Sequence, residues 1–176
     1  MNASKSVTNI ILDTSAILSG KPIDFPNAKI ITTNTIDEEI KPGGRDYQNY
    51  QFLKEKGLIL QKPSNKSIEI IEKASKKTGD NDRLSKIDKE ILALAYDFFT
   101  NNRPHLILSD DYSIQNVAEF LNLKYESISQ KGISKRFKWI NRCRGCGKKF
   151  KDNISICPIC GANTKKIVSN NKKIRN

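Results

Sequence analysis

The chain predicts an α/β fold, a central parallel sheet with helices on its faces, followed by a small C-terminal metal module. Three observations predict it. Short apolar runs alternate with amphipathic stretches over residues 7–129, the rhythm of strands joined by crossover helices. Acidic side chains recur where strands end and helices begin, which is the crevice end of such a sheet. All four cysteines fall in one C-terminal stretch with the spacing C-x2-C-x10-C-x2-C.

Val7–Leu12 reads as the first strand, and Asp13 follows its carboxyl end. There it fits an N-cap for a helix over Ser15–Leu18, or a ligand facing the crevice. Lys29–Thr32 is the second strand. A helix starts near Thr35, where Thr35-Ile36-Asp37-Glu38 has a capping-box pattern, and stops at Pro42-Gly43-Gly44. The box accounts for Glu38 and leaves Glu39 unexplained on the border of the buried stripe. Helical patterns follow over Asp46–Lys56 and Ser67–Lys77, with a strand at Leu58–Leu60 between them. Asp80 and Asp82 read as loop residues. Over Ser85–Thr100, Ile87, Ile91, Leu94 and Phe98 form one apolar stripe. Ser85-Lys86-Ile87-Asp88 is a second capping-box pattern, with Asp in place of the longer-reaching Glu, so Asp88 can cap or face the sheet end. Leu106–Leu108 is a strand that breaks into Ser109-Asp110-Asp111 before a helix over Ile114–Leu121. One of the two aspartates can cap that helix; both cannot. Two adjacent like charges repel, and a divalent cation relieves them.

The four acidic positions, Asp13, Glu39, Asp88 and the Asp110/Asp111 pair, can face one crevice. Hard divalent cations prefer carboxylates and water, so the set suggests a Mg²⁺ or Mn²⁺ site. Such sites support phosphodiester cleavage. The single histidine, His105, stands before a strand and makes a poor candidate for a general base.

Cys143, Cys146, Cys157 and Cys160 suit a tetrahedral structural Zn²⁺. Gly147 and Gly161 follow the two pairs and allow the tight turns. Iron in a rubredoxin-like site uses the same ligands, and two disulfides would need an oxidising compartment. A closed four-cysteine site has no open coordination position for catalysis.

The protein has 176 residues and a net charge of +12, and the excess is confined to one end. Residues 131–176 hold 14 Lys+Arg and one acid, Asp152, whereas residues 1–130 nearly balance. A neutral domain with a basic appendage points to a polyanionic partner, most simply nucleic acid, or to a solubilising tail. Lys135, Arg136, Lys138, Trp139, Arg142, Arg144, Lys148 and Lys149 are the candidate RNA-binding residues. Phe137 and Trp139 can stack on bases or pack the ribbon against the main domain. The expected division is a nuclease-like domain over 7–129, a basic linker over 130–140, a zinc ribbon over 141–163 and a disordered basic tail over 164–176. No run approaches the roughly 18 apolar residues of a membrane span, and Met1–Ser6 lacks a signal-peptide core. A soluble cytoplasmic protein is expected, with no membrane partner.

Ile11-Leu12-Asp13-Thr14-Ser15-Ala16, Glu39-Ile40, Leu84-Ser85-Lys86-Ile87-Asp88 and Ser109-Asp110-Asp111-Tyr112-Ser113-Ile114-Gln115-Asn116-Val117 together resemble the PIN-domain nucleases. With the zinc ribbon, the set is similar to archaeal Nob-type endoribonucleases, which mature the 3′ end of small-subunit rRNA. The resemblance implies a three-layer fold with a five-stranded parallel sheet. It implies Mn²⁺- or Mg²⁺-dependent cleavage of single-stranded RNA by Asp13, Glu39, Asp88 and the Asp110/Asp111 pair. It favours Asp111 as the metal ligand beside Asp13 and Asp88, with the neighbouring aspartate left to position the helix. Ser109 stands where threonine is common in that pattern. The implied partners are precursor small-subunit rRNA, the nascent small subunit and its assembly factors. Two other readings remain: a non-catalytic RNA-binding assembly factor whose acids only cap helices, and a toxin-like PIN nuclease acting on another RNA.

Overall fold

The computed structural model describes residues 8–20, 23, 25, 27–128, 135–152 and 154–173, with the backbone alone at 135–139 and 168–173. Val7, residue 129, linker residues 130–134 and tail residues 174–176 lie outside the described residues, as do the side chains of Lys135, Arg136, Lys138 and Trp139.

Strands β1 (Thr8–Leu12), β2 (Ala28–Thr33), β3 (Ile59–Gln61), β4 (His105–Leu108) and β5 (Tyr125–Glu126) form an all-parallel sheet in the order β3-β2-β1-β4-β5. The chain moves outward from β1 to β3, then returns to β4 on the other side of β1. The strand order therefore reverses between β1 and β4, where Ile11 pairs with Ile107 and Leu12 with Leu108. Ile10, Ile11, Leu12 and Ile107 are at most 1% exposed. An unbroken apolar run is what a strand covered on both faces requires.

Five helices connect the strands: α1 (Thr14–Leu18), α2 (Gly44–Glu55), α3 (Asn65–Thr78), α4 (Lys86–Thr100) and α5 (Tyr112–Phe120). The expected stripe of α4 is buried, and so are Leu92, Ala93 and Ala95 on other faces. The helix lies between the sheet and α3, and Ser67 Oγ of α3 donates to Asp97 of α4 at 2.6 Å. Truncating Ile91 or Leu92 to Ala costs about 2–5 kcal/mol at such a site. Helices α4 and α5 both end on left-handed asparagines, Asn102 (φ 53°) and Asn122 (φ 58°). Bonds from Arg103 N–H to Phe98 O and from Leu123 N–H to Ala118 O, both 2.9 Å, close the ends and aim the chain into β4 and β5.

Three features depart from the sequence reading. The helix expected near Thr35 is a 3-10 turn over Asn34–Glu38, capped by Thr33 and not by Thr35. Glu38 reaches no cap position and instead pairs with Lys86 at 3.3 Å. Residues 135–140 and 164–173, expected as linker and disordered tail, are strands. Here β6 (Lys135–Cys143), β7 (Lys149–Phe150) and β8 (Thr164–Lys173) form an antiparallel sheet in the order β7-β6-β8. Register runs from Lys135 opposite Lys173 to Cys143 opposite Thr164. Long-range ladder bonds order a Lys/Asn-rich segment that has no local apolar pattern to announce it. Among the described residues, no helix is long and apolar enough to cross a membrane.

Candidate active site

The carboxyl ends of β1 and β4 are joined by the bond from Asp13 N–H to Leu108 O, 3.1 Å. Directly beyond them stand Asp13 and Ser109-Asp110-Asp111. Asp13 is 3% exposed and caps α1, accepting from Thr14 N–H at 2.6 Å. Its other oxygen accepts from Ser15 Oγ and Ser109 Oγ, each at 2.7 Å. Ser109 Oγ in turn accepts from Asp111 N–H at 3.0 Å, so one buried hydroxyl ties Asp13 to the aspartate pair.

The 3-10 turn brings in Glu39, which is exposed and accepts from Thr14 Oγ1 at 2.6 Å. Behind that turn lies Glu90, which the sequence reading passed over. It is 8% exposed and accepts from both Thr33 Oγ1 and Thr35 Oγ1. A carboxylate two residues after Asp88 on a mostly buried helix was the available signal for it.

At the start of α4 the capping box forms in full. Ser85 Oγ accepts from Asp88 N–H at 3.1 Å, and Asp88 accepts from Ser85 N–H at 2.7 Å. The short aspartate therefore does reach back. Asp88 also feels the charges of Asp111 and Glu39, and Asp13 feels that of Asp88. Burial, foremost, raises the carboxyls of both Asp13 and Asp88. The serine hydrogen bonds oppose the rise and the neighbouring carboxylates add to it. Asp88 is thus the hub of four acids drawn from four separate segments.

The aspartate pair divides its work differently from expectation. Asp111 caps α5, accepting from Ser113 N–H at 2.6 Å, and its charge reaches Asp88. Asp110 turns toward the strand end beyond β5, accepting from Ser127 Oγ and, at 2.9 Å, from Ile128 N–H. The N-cap of α5 is thus Asp111 and not its neighbour. Gln115 holds Ser109 O at 2.7 Å, so a polar residue facing the sheet fixes the turn that carries the pair. His105 sits at the opposite end of β4, with Nδ1 3.1 Å from Arg103 O, and burial lowers its pKa.

The donor set fits a hard divalent cation: all oxygens, several negative charges held partly out of water, and no imidazole or thiol. Among the described residues, only the cysteines gather three or more such ligand atoms within 4.8 Å of one another. Among the described residues, no three of the carboxylates come that close.

The cysteine centre is compact. Cys143 Sγ lies 3.3 Å from Cys160 Sγ, and Cys146 Sγ 3.7 Å from Cys157 Sγ. Gly147 and Gly161 take φ of 74° and 70° in the two knuckle turns. Arg144 N–H donates to Asn163 O at 2.9 Å and locks one turn on the other. The four thiols could hold a zinc ion. Around them Arg142, Arg144, Lys148 and Lys149 are exposed.

Residues 10–98 match the family described as the PIN domain of ribonuclease. The protein named endoribonuclease Nob1 of Archaeoglobus fulgidus is 34% identical over 90% of this chain and 90% of its own length. That of Pyrococcus abyssi is 34% identical over 90% of this chain and 92% of its own length. The protein named ribonuclease VapC1 of Thermoplasma acidophilum is 36% identical over 89% of this chain and 76% of its own length. The match in sequence, the parallel sheet and the acids at its switch point agree, and the chain belongs to the PIN-domain ribonuclease family.

Proposed function

We propose that this protein is a Mn²⁺- or Mg²⁺-dependent endoribonuclease that cleaves precursor small-subunit rRNA near its 3′ end. The carrying observation is the convergence of Glu39, Asp13 and Asp111 on Asp88 at the point where the strand order reverses. Asp13, Asp88 and Asp111 are the residues that would hold the ion, with Glu39 and Asp110 at the margin. When bound, the ion supplies Lewis acidity, making water a better nucleophile and neutralising charge that develops on the phosphodiester.

The chain's own residues prepare that chemistry. Ser15 and Ser109 fix the rotamer of Asp13, and Thr14 fixes Glu39. The Ser85 box fixes Asp88. Helix caps aim two carboxylates without loop freedom, which is the preorganisation a phosphoryl centre needs.

The ribbon supplies grip. Arg142 of β6 pairs in register with Lys149 of β7 and Lys165 of β8. Three cations in a row across a sheet repel one another, and a phosphate backbone is the partner that relieves them. A structural Zn²⁺ on the four cysteines would hold that row in place. The relatives named endoribonuclease Nob1 support an RNA substrate, and cleavage of precursor small-subunit rRNA would put the protein in the cytoplasm, on the nascent small subunit with its assembly factors.

The test is cleavage of an RNA spanning the precursor 3′ end with Mn²⁺ present. One cut by the intact protein, lost in Asp13→Asn and Asp111→Asn, is expected. Cleavage at the intact rate by either variant overturns the assignment. A second reading has its own support, because Asp13 and Asp111 are helix N-caps and Asp88 completes the capping box of Ser85. On that reading the protein is a non-catalytic assembly factor, and the same variants change stability alone. The relative named VapC1 supports a third, a PIN nuclease for another RNA, which cleaves unrelated single strands equally well.

A further inference from the structure

One acid outside the proposed site is shut off from solvent as Asp13 is. Asp80, read from sequence as a loop residue, is 1% exposed. Burial raises its carboxyl above the ordinary range, while the Thr78 and Asn116 hydrogen bonds and the charges of Arg83 and Lys166 oppose the rise. A charged group so placed is costly unless it is paired. Its partner is Asn116 of α5, 1% exposed, whose Nδ2 donates to Asp80 Oδ2 at 2.6 Å.

The pair stands at a junction of three helices. Asp80 N–H donates to Ser75 O of α3 at 2.9 Å. Its carbonyl accepts from Arg83 N–H at 2.9 Å and Leu84 N–H at 3.2 Å, forming the turn that delivers Ser85 and the capping box of Asp88. Asn116 lies one turn into the helix that Asp111 caps. One hydrogen bond therefore ties the approach of Asp88 to the helix of Asp111, two carboxylates that repel each other.

We infer that Asp80 and Asn116 are positioning residues for the acidic centre, setting the separation of Asp88 and Asp111 at which a divalent cation is bound. The inference rests on the metal-site reading above. Ordinary packing at this junction would need no buried carboxyl–amide pair. A clamp against carboxylate repulsion needs a bond shielded from water, and the 2.6 Å bond from Asn116 to Asp80 is buried at both ends.

The experiment is Mn²⁺ titration of the full chain, followed calorimetrically, with thermal unfolding and RNA cleavage measured in parallel. Asn116→Ala removes the donor. Loss of an outer-shell contact of this kind costs about 10–100-fold in metal affinity or activity. The expected result is a loss of that size in Mn²⁺ affinity and in kcat, with KM for RNA unchanged. The double variant Asp80→Asn/Asn116→Asp exchanges amide and carboxylate and is expected to return Mn²⁺ affinity most of the way. Should Asn116→Ala not fold, Asn116→Ser, too short to reach Asp80, carries the same test. A lowered melting temperature with Mn²⁺ affinity and kcat intact assigns the pair to stability and overturns the inference. Asp13→Asn separates the two readings. If it abolishes Mn²⁺ binding and Asn116→Ala does not weaken it, the clamp alone fails. If Asp13→Asn binds Mn²⁺ undiminished, the acidic site and the clamp fail together.

Discussion

The two candidate metal centres are built on opposite plans. The cysteine centre takes all its ligands from Cys143–Cys160, one local turn pair close in sequence. The acidic centre takes one residue from each of four segments between Asp13 and Asp111, and most are helix caps as well. A closed soft site can be declared by spacing alone. An open hard site must be assembled by topology, and its members keep jobs in the fold. On the proposed reading the first plan would give stability to its own module, and the second reactivity at some expense of stability.

The largest effect expected from that contrast is on the ribbon. Apparent zinc binding in small cysteine modules is worth about 10–16 kcal/mol at neutral pH. Cys143→Ser, or strong chelation, should unfold the ribbon and release RNA while the unfolding transition of the parallel-sheet domain stays in place. Proton NMR of the ribbon amides and of the buried methyls of Ile10 and Ile107 reads both at once. Loss of the sheet signals together with the ribbon would break the contrast.

Next comes the acidic centre. Asp13→Asn keeps an acceptor for Thr14 and removes a charge. Single-turnover cleavage should fall by about 100-fold or more, above the outer-shell range. Stability should move by no more than about 1 kcal/mol, the ordinary worth of a cap.

A smaller effect belongs to the basic row. Affinity for single-stranded RNA should fall steeply with salt, and Arg142→Ala should reduce the slope of log K against log salt by about 1. Fluorescence anisotropy across a salt series measures it. An unchanged slope would remove Arg142 from the interface and leave the row without a partner.

The fold was legible wherever local pattern and burial coincide. β1 and β4 are apolar runs because both faces are covered, and the α4 stripe marks the sheet side. β5 was not legible, because a strand of only Tyr125–Glu126 has no periodicity to show. β8 hid in a Lys/Asn-rich stretch whose order comes from β6 across the ribbon. At the site, Asp13, Glu39, Asp88 and Asp111 stood out by their place at element ends. Asp80 did not, since its partner Asn116 is 36 positions away and only the fold buries the pair. Which of Asp110 and Asp111 caps α5 was equally closed to sequence, because both precede the helix by the right distance.

The smallest expected effect in magnitude is the most discriminating. Asp13 and Asp88 have carboxyls raised in the folded protein above their ordinary 3.8. Protonation at these positions therefore stabilises the fold. The contribution is full below the unfolded value and is lost as pH rises through the raised folded ones, so at neutral pH both sites carry strain. Asp88→Asn imitates the protonated form and keeps an acceptor for Ser85 N–H. Thermal unfolding of this variant and the intact protein at neutral pH, with and without Mn²⁺, tests the account most directly. The account predicts that the metal-free variant melts a few degrees higher than the intact protein and gains nothing from Mn²⁺, while the intact protein rises with Mn²⁺. A variant that melts lower and responds to Mn²⁺ as the intact protein does would make Asp88 a cap and nothing more.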